Sequence, residues 1–492
     1  HEAPASQIAY IENIDREQRQ ISLYYFTYFE QNTESFQING VEIIPKYRKV
    51  VRHTFGEALF VYEVRAWLAF DDPDSSLALY IDGKQARLTL KGKQHKTGIV
   101  LKNIIQAYRP SIKYVTDGSW ILMDRDTQAD DNAEHLYRYI VKNHLKDDCY
   151  FALNRSSSDW NRLEEEGFKL LDFGSQTFES KLKRCSKIIS SHFDRYINNY
   201  FGDEYEYSKK FVFLQHGITK DDMSSWFNGI KNLQCVITVT QSEYNSIVKN
   251  NTRYRLTEKE VVLTGFPRHD RLLKQAIDEK IILIMPTWRK TIVGKVIGDG
   301  NERALNDAFM ETLFAQSWYK LIHSESLKDL SNEYGYKVIF APHANIVPYL
   351  DQFSIPSYIS VWSVSDQLGS IQNLFQKAKI MLTDYSSVAF EMAYLEKAIV
   401  YYQFDKETVY QGSHIYQKGY FEYERDGFGP VVEEVEQVEQ ELEKVLKNGG
   451  KAAEPYLTRM QQTFIFKDGR CCERVYQAIL NLDVPKTDDV NF

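Results

Sequence analysis

No stretch of the sequence approaches the roughly 18 consecutive apolar residues of a membrane-spanning helix, so none is expected. Cysteine is scarce and unpatterned. Cys149, Cys185, Cys235, Cys471 and Cys472 are odd in number and show no CxxC spacing, so a reducing, cytoplasmic setting is expected. The adjacent pair Cys471-Cys472 makes no zinc site alone. Positive charge is in deficit. With 60 Lys and Arg against 68 Asp and Glu the net charge is −8, which argues against a general nucleic-acid binder. The Gly-rich fingerprint of dinucleotide binders is absent. The opening "HEAPASQ" has neither an initiator Met nor a signal-peptide pattern, and reads as a cloning remnant or as the edge of a longer protein.

Aromatic residues, by contrast, are abundant: 33 Tyr and 28 Phe bring the aromatic share to 14%, suited to wide contact surfaces for sugars or polyols. At 43% apolar and 26% charged the chain is globular, and 492 residues imply two or three domains. Residues from about 20 to 95 are β-rich, and "LALYIDGKQARLTL" reads as strand, Asp82-Gly83 turn, strand. A small all-β module is expected over 1–97, as a scaffold or a lectin-like surface.

Beyond residue 98, short apolar runs alternate with helical stretches. "CYFALN", "KIISSHF", "FVFLQHG" and "CVITVT" form one series, and "KIILIMPTWR", "KVIFAPHAN", "KIMLTDYSS" and "AIVYYQFD" a second. Such runs read as buried parallel strands, so the fold class is α/β, with two Rossmann-like domains facing a cleft. The expected divisions are 98–272 and 273–492. The segment "VVEEVEQVEQELEKVLKNGG" reads as an amphipathic helix ending at glycine, with its acidic face solvated.

Ligands of open α/β sheets bind at the carboxyl ends of the strands. Those ends carry His216-Gly217, Thr287-Trp288-Arg289, His343 and Asp384 to Ser387. Two imidazoles, a guanidinium and a hydroxyl cluster, with few metal-binding carboxylates, suit a phosphate-bearing ligand better than a metal hydrolase. Val388, Met392 and Leu395 lie at helical spacing, so a helix is expected from Ser386 or Ser387, with Asp384 or Ser386 as N-cap. Its amino end would be either a plain cap or an anion cradle. His216 is a candidate general base, and Arg289 a candidate phosphate clamp or salt-bridge partner.

"FLQHGITKDDMSSW", "MPTWR", "APHANI", "LTDYSSVAFEMAYLEKAIVYYQFD" and "GYFEYERDGFGPVV" resemble, in this order, the CDP-glycerol glycerophosphotransferases, which include teichoic-acid polymerases and capsule polymerases. The resemblance covers roughly residues 100–475. It implies a GT-B-like architecture, a CDP-polyol donor held mainly by the C-terminal domain, and peripheral attachment to the cytoplasmic face of the membrane, where a lipid-linked acceptor resides. It makes His216 the general base and His343 a support for the donor phosphates. It places Arg289, Thr287, Asp384, Ser386, Ser387 and Glu391 in donor-binding segments, and Gly217, Lys220 and Asp221 on the acceptor side. Many members read His-Gly-Thr-Pro where this chain has His216-Gly217-Ile218-Thr219, and Phe-Asp where it has Phe390-Glu391.

The implied reaction is attack of an acceptor hydroxyl on the polyol-bearing phosphorus of CDP-glycerol or CDP-ribitol, with CMP released. No cofactor is required by the sequence, although magnesium could bridge the pyrophosphate without a protein cage. Two rivals stand beside this reading. One is a nucleotide-sugar glycosyltransferase with Glu391 on the ribose; the other is a non-catalytic glycan-binding subunit using the β-module.

Overall fold

The computed structural model describes residues 7–483 apart from 16–17, 56–57, 91–92, 95–98, 108–115, 145–147, 204, 206–208, 275–277, 290–291, 293, 295–303, 364–369 and 410–416. The β-rich start folds as two sheets over one apolar core. Gln20–Thr27 runs antiparallel to Ile8–Asp15 and to Ala58–Ala69, while Glu34–Ile38 pairs with Ser76–Ile81 in the second sheet. Alternation along these strands turns Leu23, Tyr25, Phe36, Val64 and Leu79 inward. The Asp82-Gly83 turn forms as the sequence suggests. Both residues have positive φ, 49° and 76°, and Ile81 pairs with Lys84, so the two-residue loop matches the twist of its strands.

A buried cation fastens this module to the next unit. Lys49 is fully buried and donates to Ile247 O at 2.7 Å, to Lys249 O and to Thr252 Oγ1 at 3.1 Å. Beside it, Asn251 N donates to Val50 O and Arg52 N to Thr252 O, both at 2.9 Å.

Two parallel sheets follow. The first has seven strands in the order Leu170–Asp172, Cys149–Leu153, Trp120–Met123, Lys187–Ser190, Lys210–Phe213, Leu233–Thr238 and Val261–Leu263. The second has six, in the order Ile359–Val361, Lys337–Phe340, Ile281–Met285, Ile380–Thr383, Ala398–Tyr402 and Val431–Val432. Their central strands are apolar on both faces because helices cover both sides. In each sheet the strand order reverses beside the unit's first strand, and such a reversal opens a crevice at the carboxyl ends. The two crevices face each other across the cleft, giving a GT-B-like pair preceded by the all-β module.

The acidic stretch forms the helix Val435–Lys447, which buries Val435, Val438, Leu442 and Leu446. The last helix, Cys471–Asn481, returns to the first unit and packs on Asn132–Asn143. Asp270 accepts from Cys471 N and Cys472 N, both at 2.8 Å, and His144 stacks on Tyr476 at 4.0 Å between ring centroids. Of the divisions expected from sequence, 97/98 lies outside the described residues and 272/273 falls within the helix His269–Lys274.

Candidate active site

Between the two crevices lies a cavity of about 270 Å³. Its walls include His216 and Gly217 from the first unit, and Thr287, His343, Ser386 and Ser387 from the second. These six were all singled out by the strand-end reading, and they converge here from four different strands.

His216 sits three residues past the strand Lys210–Phe213, and the residue before it explains its aim. Gln215 has φ of 56°, an uncommon value for a residue with a side chain. A buried hydrogen-bond net holds it there. Gln215 Nε2 donates to Ile237 O at 2.6 Å and to Glu243 Oε1 at 3.0 Å, and Thr219 Oγ1 donates to Gln215 Oε1 at 2.5 Å. Glu243 also accepts from Thr219 N at 2.8 Å and Val239 N at 2.7 Å, bracing the whole 215–219 loop. Burial pushes the Glu243 carboxyl up to about 7.

The His216 ring stacks on His192, with centroids 4.6 Å apart and planes 13° from parallel. Its pKa is lowered to about 4, by burial first and then by the nearby charges of Arg125 and Arg268. The ring is therefore neutral near pH 7 and free to accept a proton. His343 is likewise lowered to about 4, by burial and then by Arg125. Asn345 N donates to His343 Nδ1 at 3.2 Å, so the neutral ring carries its proton on Nε2 and can offer it to an oxygen. The Trp288 ring lies over His343, with centroids 5.9 Å apart.

The Ser386-Ser387 segment differs from expectation in a useful way. Residues 386–388 form a turn, with Ala389 N bonded to Ser386 O at 3.3 Å and Phe390 N to Ser387 O at 3.0 Å, and the helix spans only Ala389–Tyr394. So short a helix has little dipole to offer. The turn instead presents the amides and hydroxyls of Ser386 and Ser387, which have no hydrogen-bond partner among the described residues. Thr287 Oγ1, on the same wall, is buried and also lacks a partner.

Other expected ligand groups are already committed to protein partners. Asp384 caps no helix: its Oδ1 accepts from Thr287 N at 2.8 Å and Tyr385 N at 2.7 Å, and its Oδ2 from Arg289 at 2.9 Å. Arg289 is 1% exposed and donates to Asp405 at 2.9 and 3.2 Å as well as to Asp384. Its guanidinium braces the strand ends and does not reach the cavity, because two buried carboxylates occupy its donors. Glu391 spends only one oxygen: Oε1 accepts from Arg268 Nε at 3.1 Å, while Oε2 is buried 2.9 Å from His269 Nε2 without a hydrogen bond. It lines a separate, smaller cavity rather than the one walled by His343, Ser386 and Ser387. Lys220 and Asp221 do lie on the main wall, joined to each other at 2.6 Å.

The sequence reading missed Arg125, His192 and Arg268. Arg125 follows the strand Trp120–Met123 by two residues, and its charge bears on His192, His216 and His343 together. Among the described residues it has no ion-pair partner. Arg268 bridges the units, donating to Asp131 Oδ1 at 2.6 Å as well as to Glu391.

The chain is 35% identical over 372 residues to the minor teichoic acid biosynthesis protein GgaB of Bacillus subtilis (strain 168), a match covering 74% of this chain and 40% of that protein. It is 23% identical over 257 residues to the teichoic acid glycerol-phosphate transferase of Staphylococcus aureus (strain NCTC 8325 / PS 47), covering 49% and 59%. The chain thus spans about two fifths to three fifths of these relatives. The solved structure of the wall teichoic acid polymerase TagF shares the fold, with a TM-score of 0.53 at 16% identity over 75% of this chain and 89% of that one. The sequence profile of the CDP-glycerol:poly(glycerophosphate) glycerophosphotransferases matches residues 111–481, both Rossmann-type units without the β-module, and the chain belongs to that family.

Proposed function

We propose that this chain transfers glycerol phosphate from CDP-glycerol to an acceptor hydroxyl, releasing CMP and extending a teichoic-acid-like polymer. The observation that carries this reading is the pairing of two neutral histidines from opposite units around one cavity, beside a turn with unspent donors. Residues 273–492 take the donor role and 98–272 the acceptor role, with 1–97 as an accessory module. His343, Thr287 and the Ser386-Ser387 turn hold the pyrophosphate, and Arg125 supplies the positive charge expected of Arg289. The acceptor oxygen forms a bond to the glycerol-bearing phosphorus while the bridging P–O bond breaks. The electron pair leaves with CMP, and the hydroxyl proton passes to His216. Charge stabilisation by fixed donors carries the rest of the barrier.

The resemblance to the teichoic-acid polymerases leads us to add a lipid-linked acceptor and peripheral contact with the cytoplasmic membrane face to this proposal. Among the described residues no helix is long and apolar enough to cross a membrane. The test is a donor screen with CDP-glycerol, CDP-ribitol and UDP-sugars, read as released nucleotide. CMP from CDP-glycerol is expected; release from UDP-sugars alone would overturn the assignment.

A further inference from the structure

Beyond His216 from the main cavity lies a second, of about 150 Å³, and His216 and Val388 belong to the walls of both. Its polar lining is dominated by hydrogen-bond acceptors. Gln372 is 6% exposed, and its Oε1 is buried with no hydrogen-bond partner. Asp130 Oδ2 is also buried and unpartnered. Asp131 Oδ2 faces His192 Nε2 at 3.8 Å, beyond hydrogen-bond length. Buried acceptors left without donors are costly, so the chemistry missing from this cavity is a set of donors.

An anion does not meet that need. The helix amides at the amino end of Asn132–Asn143 are already taken: Ala133 N and Glu134 N donate to Asp124 at 2.9 and 3.2 Å, and Asn132 N to Asp131 at 2.8 Å. Arg268 is neutralised between Asp131 and Glu391. Arg125 is the one lining cation among the described residues without an ion pair. The wall therefore repels a phosphate except next to Arg125, and welcomes hydroxyl groups.

We propose that this second cavity is the acceptor subsite, taking the last two polyol units of the growing chain by a non-reacting hydroxyl of each. Gln372 Oε1 accepts from the non-reacting hydroxyl of the terminal unit and Asp130 Oδ2 from a hydroxyl of the unit before it, Arg125 holds the phosphate between them, and the attacking hydroxyl reaches His216 from the side opposite the donor. The inference rests on the transfer reading above and assigns its acceptor to a polyol with at least two hydroxyls.

The test titrates the full chain by calorimetry with two separate probes, CDP-glycerol and soluble glycerophosphoglycerol. Gln372→Leu and Asp130→Asn are expected to weaken glycerophosphoglycerol about tenfold each, the loss of one buried hydrogen bond, while leaving CDP-glycerol affinity within twofold. Asp130→Asn keeps a residue type that tolerates the φ of 73° at this position, so it guards against misfolding of the other variant. A probe with its terminal non-reacting hydroxyl removed is expected to bind wild type about tenfold less tightly and to lose little further on Gln372→Leu. Unchanged glycerophosphoglycerol binding in both variants would overturn the subsite. A chain that binds glycerophosphoglycerol in this residue-dependent way but never CDP-glycerol would instead retain the subsite and overturn the donor reading.

Discussion

Gly217 and Ser387 meet across the cleft with no room between them: a Cβ on Gly217 would lie 2.9 Å from Ser387 Oγ and 3.6 Å from its Cβ. The contact joins the two units at the cavity itself. Because the nearest atom is a rotatable hydroxyl, Gly217→Ala is expected to fold, by turning Ser387 Oγ away from the cavity. The loss then falls on ligand contact rather than stability. CDP-glycerol affinity is expected to drop about tenfold while unfolding free energy changes by less than about 1 kcal/mol, checked by calorimetry and urea titration. In the background of Ser387→Ala, which has no hydroxyl to displace, the same glycine substitution is expected to cost little more.

The two histidines face the same cavity from opposite units, and their substitutions separate binding from chemistry. His216→Ala is expected to lower turnover by about 10²- to 10⁴-fold while CDP-glycerol binding survives, because it removes the proton acceptor alone. His343→Ala is expected to weaken donor affinity as well as turnover, since the ring lines the cavity and carries its proton on Nε2. Single-turnover CMP release beside calorimetry reads both. Wild-type turnover in His216→Ala would sink its role as base.

Both rings also set a pH dependence of stability. Their pKa values fall from 6.5 to about 4 on folding, so between those values the unfolded chain binds protons that the folded chain refuses, an effect that solvent screening keeps small because both rings are exposed to the open cleft. Stability from these groups is complete above pH 6.5 and lost as pH falls toward 4. Glu243, raised to about 7, acts oppositely between 4.5 and 7, so the informative quantity is a difference between proteins. The double variant His216→Gln/His343→Gln is expected to lose less melting temperature than wild type between pH 7 and pH 5.

How much of this was legible in the sequence depended on one habit, that of looking where an apolar run closes on polar residues. It found His216, His343 and Ser386-Ser387, each three or four residues beyond a buried strand. It passed over Trp120–Met123, where four apolar residues run into Asp124-Arg125-Asp126 and resemble the approach to a turn, and with that strand Arg125 was lost. His192 lay in a run that was read as a strand end without being weighed as a ligand. Partnership was illegible for a different reason. Arg289 meets Asp405 at a separation of 116 residues and Glu391 meets Arg268 at 123, so both looked unspent in the sequence and are neutralised only by the tertiary fold.

That neutralisation makes Arg289 a stability residue. Removing one member of a buried charge cluster leaves the others unpaired, so Arg289→Ala, which strands Asp384 and Asp405, is expected to cost about 3–5 kcal/mol. Arg289→Lys cannot reproduce the fork between two carboxylates and is expected to recover only part of it. Urea titration measures both. An Arg289→Ala protein of unchanged stability but lost donor affinity would return this residue to the role of phosphate clamp.

Lys49 plays the corresponding part at the other joint. Burial lowers its amine to about 7, and its three acceptors, Ile247 O, Lys249 O and Thr252 Oγ1, all belong to the neighbouring unit. Lys49→Met keeps the apolar stem and removes every donor, leaving three buried acceptors to find water or open. The expected cost is about 1–3 kcal/mol, concentrated at the joint. Hydrogen exchange of the 247–252 backbone should quicken while the strand Ile281–Met285 stays protected, because the loss acts on module docking and not on the second unit. Uniform acceleration across all four sheets would mean that Lys49 supports the global fold, and that the β-module unfolds together with both Rossmann-type units.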